Sequence, residues 1–130
     1  MGTRSITTIR DEHGPVAEFY QQFDGYPEGW GQKLYEFLAG FTVVNGLSGR
    51  PTKVANGAGC LAAQVIAEFK ERAGGLYMQA PGSGRQEFNW VVTAIPGEPI
   101  RMSVEGHGQA WDGRVDEFPA WLQKYLARDE

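Results

Sequence analysis

Apolar and polar residues alternate along the first part of the chain in the pattern of a β-hairpin. Residues 6–10, beginning with Ile6 and Thr8, predict a first strand, and residues 16–23 predict the strand that returns beside it. The intervening Asp11-Glu12-His13-Gly14 consists of residues that favour turns. We therefore expect the two strands to be neighbours and antiparallel.

Three later stretches carry apolar residues at helical spacing. Residues 27–39, 58–73 and 116–127 each place their large apolar side chains on one face of a helix. Gly74-Gly75 is expected to end the second helix, and Asp116 is expected to cap the start of the third. Each helix then has one side to pack against a sheet.

Residues 76–79, 86–95 and 100–105 predict three more strands between the second and third helices. Their connections contain proline and glycine in hairpin-like combinations, so an antiparallel meander is expected. The order ββ-α-α-βββ-α indicates one α+β domain over residues 1–130, with a five-stranded, mainly antiparallel sheet and helices packed on one face. The other face is then wet, used for binding or covered by a partner, which includes a second copy in a homodimer.

Composition narrows the class of protein. A chain of 130 residues with 42% hydrophobic residues is long enough for one domain with its own core. A net charge of −4 argues against direct binding to nucleic acid. The single cysteine, Cys60, excludes an intramolecular disulfide and fits a cytoplasmic setting. No apolar stretch is long enough to predict a membrane-spanning helix, so no membrane contact is expected.

The junction between the second strand and the first helix holds the most informative residues. Its sequence is Tyr20-Gln21-Gln22-Phe23-Asp24-Gly25-Tyr26-Pro27. Asp24 is expected to accept backbone N–H bonds, Gly25 to take the positive φ of a tight turn, and Pro27 to open the helix. A small polar pocket is expected here, lined by Tyr20, Gln22, Asp24 and Tyr26.

A second candidate site lies at the start of the second helix. Gly57-Ala58-Gly59-Cys60-Leu61-Ala62 has the letters of the G-x-G-x-x-A dinucleotide fingerprint, but no clear buried strand precedes it. Gln79 stands where a ribose-binding acid belongs, so a Rossmann site is not expected. The two glycines still leave helical N–H groups open to an anion, with Lys53 nearby. Alternatively, Asn56 caps the helix and the glycines only allow close packing.

Catalytic and metal chemistry has little support in the residue spacing. Cys60 would need a base, and the sequence brings neither His13 nor His107 near it. No pair of carboxylates has a diagnostic spacing, and no metal-binding motif is present. We expect no catalytic residue, no metal and no cofactor, and a protein that is not an enzyme. The alternative is a small hydrolase or transferase that acts through Asp24 or Cys60.

Several blocks of the sequence resemble a family of small bacteriophage and mobile-element proteins without an established activity. The blocks are Tyr20-x-x-x-Asp24-Gly25-Tyr26-Pro27, Asn45-Gly46, Ala55-Asn56-Gly57-x-Gly59-Cys60-Leu61-Ala62-Ala63 and Lys70-x-x-x-Gly74-Gly75. The resemblance implies a phage protein in the host cytoplasm. Small acidic phage proteins are often antagonists of host defence: some block CRISPR effectors, and others sequester the nucleotide signals of CBASS or Thoeris systems.

These observations favour a phage-type binding protein that holds a nucleotide-like small molecule. Aromatic rings at the strand–helix junction would stack on it, and the glycine-rich helix start would meet its anion. The alternative is a protein–protein inhibitor that docks on a host defence effector through its acidic surface. The predicted ligand-binding residues are Tyr20, Gln22, Asp24, Gly25, Tyr26, Asn45, Lys53, Asn56, Gly57 and Gly59.

Overall fold

A computed structural model describes residues 2–46 and 53–128 of the chain. The strands are β1 Ser5–Asp11, β2 Gly14–Gln21, β3 Thr42–Val44, β4 Val54–Asn56, β5 Leu76–Gln79, β6 Phe88–Thr93, β7 Arg101–Gly106 and β8 Gln109–Arg114. The α-helices are α1 Gln32–Leu38, α2 Gly57–Phe69 and α3 Phe118–Leu126. A short π-helix, Pro27–Gly31, leads into α1, and a 3-10 turn, Val115–Glu117, leads into α3.

Six of the described strands form one mixed sheet in the order β5-β2-β1-β6-β7-β8. Neighbours are antiparallel except β1 and β6, which run parallel with Ser5 opposite Phe88. Strands β3 and β4 form a separate parallel pair. The α+β class, the mainly antiparallel sheet and the β1–β2 hairpin are confirmed. The predicted number of five strands is wrong, because β8 forms an edge strand with one large apolar residue, Trp111, and so lacks a strong alternating pattern.

The predicted meander fails at its first connection. Strand β5 pairs with β2, whereas β6 lies on the far side of β1, so residues 80–87 cross two strands instead of making a hairpin. Glu18 holds this crossing in place and is only 3% exposed. Its carboxylate accepts hydrogen bonds from Gln79 Nε2 at 2.5 Å and from the backbone N–H of Gly82 at 2.9 Å. The Thr8 hydroxyl donates a third bond at 3.4 Å.

Glu18→Ala is expected to lower the free energy of unfolding by about 1–3 kcal/mol, because three part-buried hydrogen bonds to its carboxylate are lost. Release of the crossing should also speed tryptic cleavage after the exposed Arg85. Denaturant unfolding and timed proteolysis would measure the two effects. Glu98→Ala, which changes an exposed acid in the β6–β7 connection, is the control. Equal stability and cleavage rate for Glu18→Ala and Glu98→Ala would show that Glu18 does not hold the crossing.

The helices and one side of the sheet share a single hydrophobic core. Its centre is Trp90 on β6, which is fully buried and contacts Phe118 of α3 with ring centroids 6.1 Å apart. Fully buried residues of the neighbouring strands and helices surround it. They include Ile9, Phe19, Leu34, Leu38, Leu61, Val65, Phe88, Val92 and Met102. Burial of these side chains fixes the helices relative to the end of β2, where the groove described below lies.

The turn after β2 depends on close backbone packing. The positive φ of this turn belongs to Asp24, at 62°, and not to Gly25 as predicted. Gly25 is needed for a different reason: a Cβ there would lie 2.5 Å from the Cβ of Ser5. Trp90 Nε1 donates to the Gly25 carbonyl at 3.0 Å, and a side chain on Gly31 would overlap the Trp90 ring. The strand–helix junction is therefore tightly bound to the core.

Two helix starts differ from their predictions. Pro27 does open the first helical segment, but that segment begins as a π-helix and becomes α1 only at Gln32. Such π-helical turns often lie at functional sites. Asp116 lies inside the 3-10 turn, and α3 begins at Phe118.

Candidate functional site

A groove runs between α1 and the C-terminal half of α2 and continues past the end of β2. It consists of three adjoining cavities, which we call the first, middle and third cavities of the α1–α2 groove. The first has a volume of about 320 Å³ and the middle one about 210 Å³. These two share Gln21, Phe23, Arg72 and Gly75. The third, of about 530 Å³, shares Lys33 with the middle cavity and Phe69 with the first.

Two cations line the middle cavity. Lys33 extends from α1, and Arg72 follows α2. Both are exposed, and within residues 2–46 and 53–128 neither has an ion-pair or hydrogen-bond partner. Such uncompensated cations in a concave site attract an anion, and the guanidinium can hold a phosphate through two parallel hydrogen bonds.

Asp24 lines the same cavity and forms a unit with Tyr26. The Tyr26 hydroxyl donates to Asp24 Oδ1 at 3.2 Å. The negative charge of Asp24, together with this hydrogen bond, raises the pKa of the Tyr26 hydroxyl above its ordinary value of 10.0. The hydroxyl therefore keeps its proton at neutral pH and occupies one carboxylate oxygen.

A buried acceptor stands beside the two cations. Gln21 lines both the first and the middle cavity, and its Oε1 atom is buried with no hydrogen-bond partner among the described residues. The hydroxyl oxygen of Ser5, which pairs with Gln21 across β1 and β2, is in the same situation. Buried polar atoms in folded proteins nearly always have a partner. The Gln21 and Ser5 oxygens therefore leave unused hydrogen-bonding capacity beneath this end of the groove.

Aromatic rings lie at both ends of the groove. In the third cavity Phe37 contacts Phe41 and Phe69, with ring centroids 5.0 and 5.6 Å apart. All three rings are half-buried, so part of each ring remains accessible. At the first cavity Phe23 is 52% exposed. Tyr77 also borders this cavity, but its ring contacts Tyr20 and lies 5.6 Å from Lys70 Nζ. Rings presented in this way can stack on a planar ligand.

The structure places one group of predicted site residues near this groove. Gln22 lines the first cavity and Asp24 the middle one, and Tyr26 contacts Asp24. Gly25 is buried beneath them. Tyr20 alternates with Phe19 along β2, so its side chain leaves the opposite face of the sheet, where it contacts Tyr77 at 5.9 Å.

The second predicted group surrounds the start of α2. Lys53 Nζ donates to the carbonyl oxygens of Phe37 at 3.1 Å and Ala39 at 2.9 Å, so it closes the end of α1 and borders the third cavity. Asn56 Oδ1 accepts the N–H of Gly46 at 2.8 Å and does not cap α2. Capping of the helix by Asn56 was therefore a wrong expectation.

The remaining residues of the second group lie apart from the Asp24 turn. Asn45 is exposed, and Gly57 begins α2 with a φ of 83°. A Cβ on Gly59 would lie 3.8 Å from Val16 Cγ1, near the beginning of β2, whereas Asp24 follows the end of that strand. The structure thus does not bring the two predicted groups into one small pocket.

Sequence reasoning missed most residues that line the groove, among them Gln21, Lys33, Phe69 and Arg72. Lys33 and Arg72 have the pattern of ordinary charged residues on the exposed side of a helix or just beyond its end. Phe69 continues the apolar face of α2, and Gln21 continues a strand. Only the packing of α1 and α2 on the end of β2 brings these residues together.

Of the residues considered for catalysis, Asp24 lines the middle cavity, whereas Cys60 and His107 lie outside the groove. Cys60 Sγ contacts Gln64 Oε1 at 3.7 Å. His107, in the β7–β8 turn, pairs with Glu87 at 3.5 Å. Within the described ranges no three histidine, cysteine or acidic residues are close enough to hold a metal ion.

Comparison with known proteins leaves the geometry as the main basis for a functional proposal. No protein-family model matches the chain, and no curated protein or solved structure shows significant similarity to it. None of the helices in the described part of the chain is long and apolar enough to cross a membrane.

Proposed function

We propose that the protein binds a nucleotide-like small molecule in the α1–α2 groove. The observation that carries this proposal is the position of Lys33 and Arg72. These two cations line one small cavity between aromatic surfaces and have no ion-pair or hydrogen-bond partner among the described residues. A phosphate group between them would gain charge-assisted hydrogen bonds. Rings attached to that phosphate would lie against Phe23 or against the Phe37–Phe41–Phe69 cluster.

The overall charge of the chain makes this cavity distinctive. The protein carries a net charge of −4, so at long range it repels an anion on average. Within the middle cavity, two cations oppose the single carboxylate of Asp24, and one oxygen of that carboxylate is already bonded to Tyr26. An anionic ligand is therefore directed to the groove.

Sequestration is the role that agrees with both the groove and the resemblance to phage proteins. A phage-type protein that removes a nucleotide signal from the host cytoplasm needs affinity and abundance but no turnover. We therefore propose a host-defence antagonist that acts by binding.

A second candidate function, inhibition of a host defence protein by direct docking, is favoured by one observation. Four of the five exposed large hydrophobic residues in the described part of the chain, Val16, Phe23, Tyr77 and Met78, lie on β2, on β5 or in the turn after β2. Exposed apolar side chains concentrated at one edge of a sheet can contribute to an interface. However, Lys70 Nζ donates to the carbonyl oxygens of Gly74 at 3.0 Å and Leu76 at 2.7 Å, which blocks part of the β5 edge against strand addition.

Native mass spectrometry would test the proposed function. The protein would be measured as purified from its expression host, and again with AMP, ADP-ribose and cyclic dinucleotides. We expect an added mass of one nucleotide per chain and a binding isotherm in titration calorimetry. No mass shift and no heat with any of these nucleotides at millimolar concentration would refute nucleotide binding. Recovery of a stoichiometric host protein in a pull-down would then support the docking function.

A further inference from the structure

We infer that the α1–α2 groove takes a ligand with two ring systems joined through phosphate, that is, a dinucleotide-like molecule and not a mononucleotide. This inference rests on the proposed function and specifies its ligand. It follows from the distribution of chemical groups in the groove: the two cations line the middle cavity, and each adjoining cavity presents aromatic rings. Phe69 lines both adjoining cavities, so Phe23 distinguishes the first and Phe37 and Phe41 distinguish the third. Three observations support this inference.

The first observation is the size and charge of the middle cavity. Its volume of about 210 Å³ is below the range of pockets that enclose a whole drug-sized ligand, which begins at roughly 300 Å³. Lys33 and Arg72 line it. A cavity of this size and charge suits a phosphate group with its ester oxygens better than a nucleoside.

The second observation is that each flanking cavity presents aromatic rings. Phe23 lines the first cavity, is 52% exposed, and has no ring partner among the described residues. In the third cavity, Phe37, Phe41 and Phe69 form a cluster of half-buried rings. Stacking on an aromatic side chain contributes about 1–3 kcal/mol per base and tolerates any base. Each end can therefore hold one base.

The third observation is the distribution of acidic residues. Glu71 lines the first cavity, and Glu36 and Glu68 line the third. Arg72 also lines the first cavity, and Lys33 and Lys53 line the third, so acids and cations balance at each end. The middle cavity has two cations and one carboxylate, and is therefore the most favourable place for a phosphate. The carboxylates at the ends can accept hydrogen bonds from amino groups or ribose hydroxyls. The groove thus favours a ligand that is anionic at its centre and rich in donors at both ends.

Titration calorimetry with the full chain would test the inference by comparing AMP with two-base ligands, namely diadenosine diphosphate and cyclic di-AMP. We expect at least one two-base ligand to bind about tenfold tighter than AMP, with one molecule per chain, because it fills both flanking cavities. Phe23→Ala and Phe41→Leu should each weaken that ligand by roughly tenfold. The affinity for AMP should fall in only one of the two variants.

The two variants are chosen so that a loss of affinity cannot be explained by a loss of folding. Phe23 is exposed, and Phe41→Leu keeps apolar volume while it removes the aromatic face. Leu126→Ala, which removes an exposed apolar side chain on α3, is the matched control and should leave affinity unchanged. Equal affinity for AMP and both two-base ligands would overturn this inference and leave the proposed function standing. Absence of binding by every nucleotide to the folded protein would overturn both.

Discussion

Replacing Lys33 and Arg72 together by glutamine is expected to lower the affinity for a phosphate-containing nucleotide by about a hundredfold. Each cation would give the phosphate a charge-assisted hydrogen bond, which contributes about 1.5–3 kcal/mol, and each 1.4 kcal/mol is about a factor of ten in affinity. Both side chains are exposed and lack protein partners in the described part of the chain, so their loss should not affect folding. Titration calorimetry at several salt concentrations would measure the change.

The salt series adds a second readout, because screening weakens the contribution of exposed charges. The affinity of the original protein should fall as salt rises, and that of the double variant should change little. Lys124→Gln, which neutralises an exposed lysine on α3, is the charge-matched control for each of the single variants. If the double variant kept its full affinity, the phosphate would not lie in the middle cavity. The single variants would show whether the two cations act on the same group.

Gly31→Ala is expected to lower the free energy of unfolding by about 1–3 kcal/mol, the usual cost of extra volume in a packed core. The added methyl would overlap the ring of Trp90 and lie 3.0 Å from Phe118 Cζ. Both rings are fully buried, so neither can move without disturbing its neighbours. Since Gly31 ends the π-helix beside the groove, the change should also displace α1.

Gly59→Ala is the matched comparison and is expected to raise the free energy of unfolding, whereas Gly31→Ala lowers it. Its Cβ would make an ordinary contact with Val16 at 3.8 Å, and alanine in place of glycine within a helix stabilises by up to about 1 kcal/mol. Because Gly59 lies outside the α1–α2 groove, nucleotide affinity should not change. Chemical denaturation of both variants would measure the difference. A Gly31→Ala protein as stable as Gly59→Ala would contradict the packing described around Trp90.

The sequence predicts those parts of the fold that depend on neighbouring residues. The β1–β2 hairpin follows from alternation and from the Asp11–Gly14 turn, and the helices follow from their spacing of apolar residues. The partner of β5 does not follow in this way. The proline and glycine residues of segment 80–87 favour a hairpin. The hydrogen bond from the Gly82 N–H to the Glu18 carboxylate instead holds this segment where it crosses the sheet. That contact joins distant parts of the chain and has no local signature.

The same division applies to the candidate site. Asp24 and Tyr26 are close in sequence, and their association at the strand–helix junction was predicted. Lys33, Arg72 and Gln21 come from three different segments and become neighbours only when α1 and α2 pack on the end of β2. A pattern of single residues along the chain carries no information about that convergence. The predicted anion site at the start of α2 was based on neighbouring residues alone, and it remains a prediction.

The parallel pair of β1 and β6 determines how this chain must fold. Arg4 and Glu87, whose hydrogen bond of 2.9 Å lies at the start of that pair, are 83 positions apart. The β1–β2 hairpin and the β6–β7–β8 meander each close through short connections and can form early. Their association requires nearly the whole chain, and contacts of such long sequence separation slow folding. During synthesis, β1 cannot pair with β6 until β6 has left the ribosome, and we expect the docking of the two halves to be the slow step of folding.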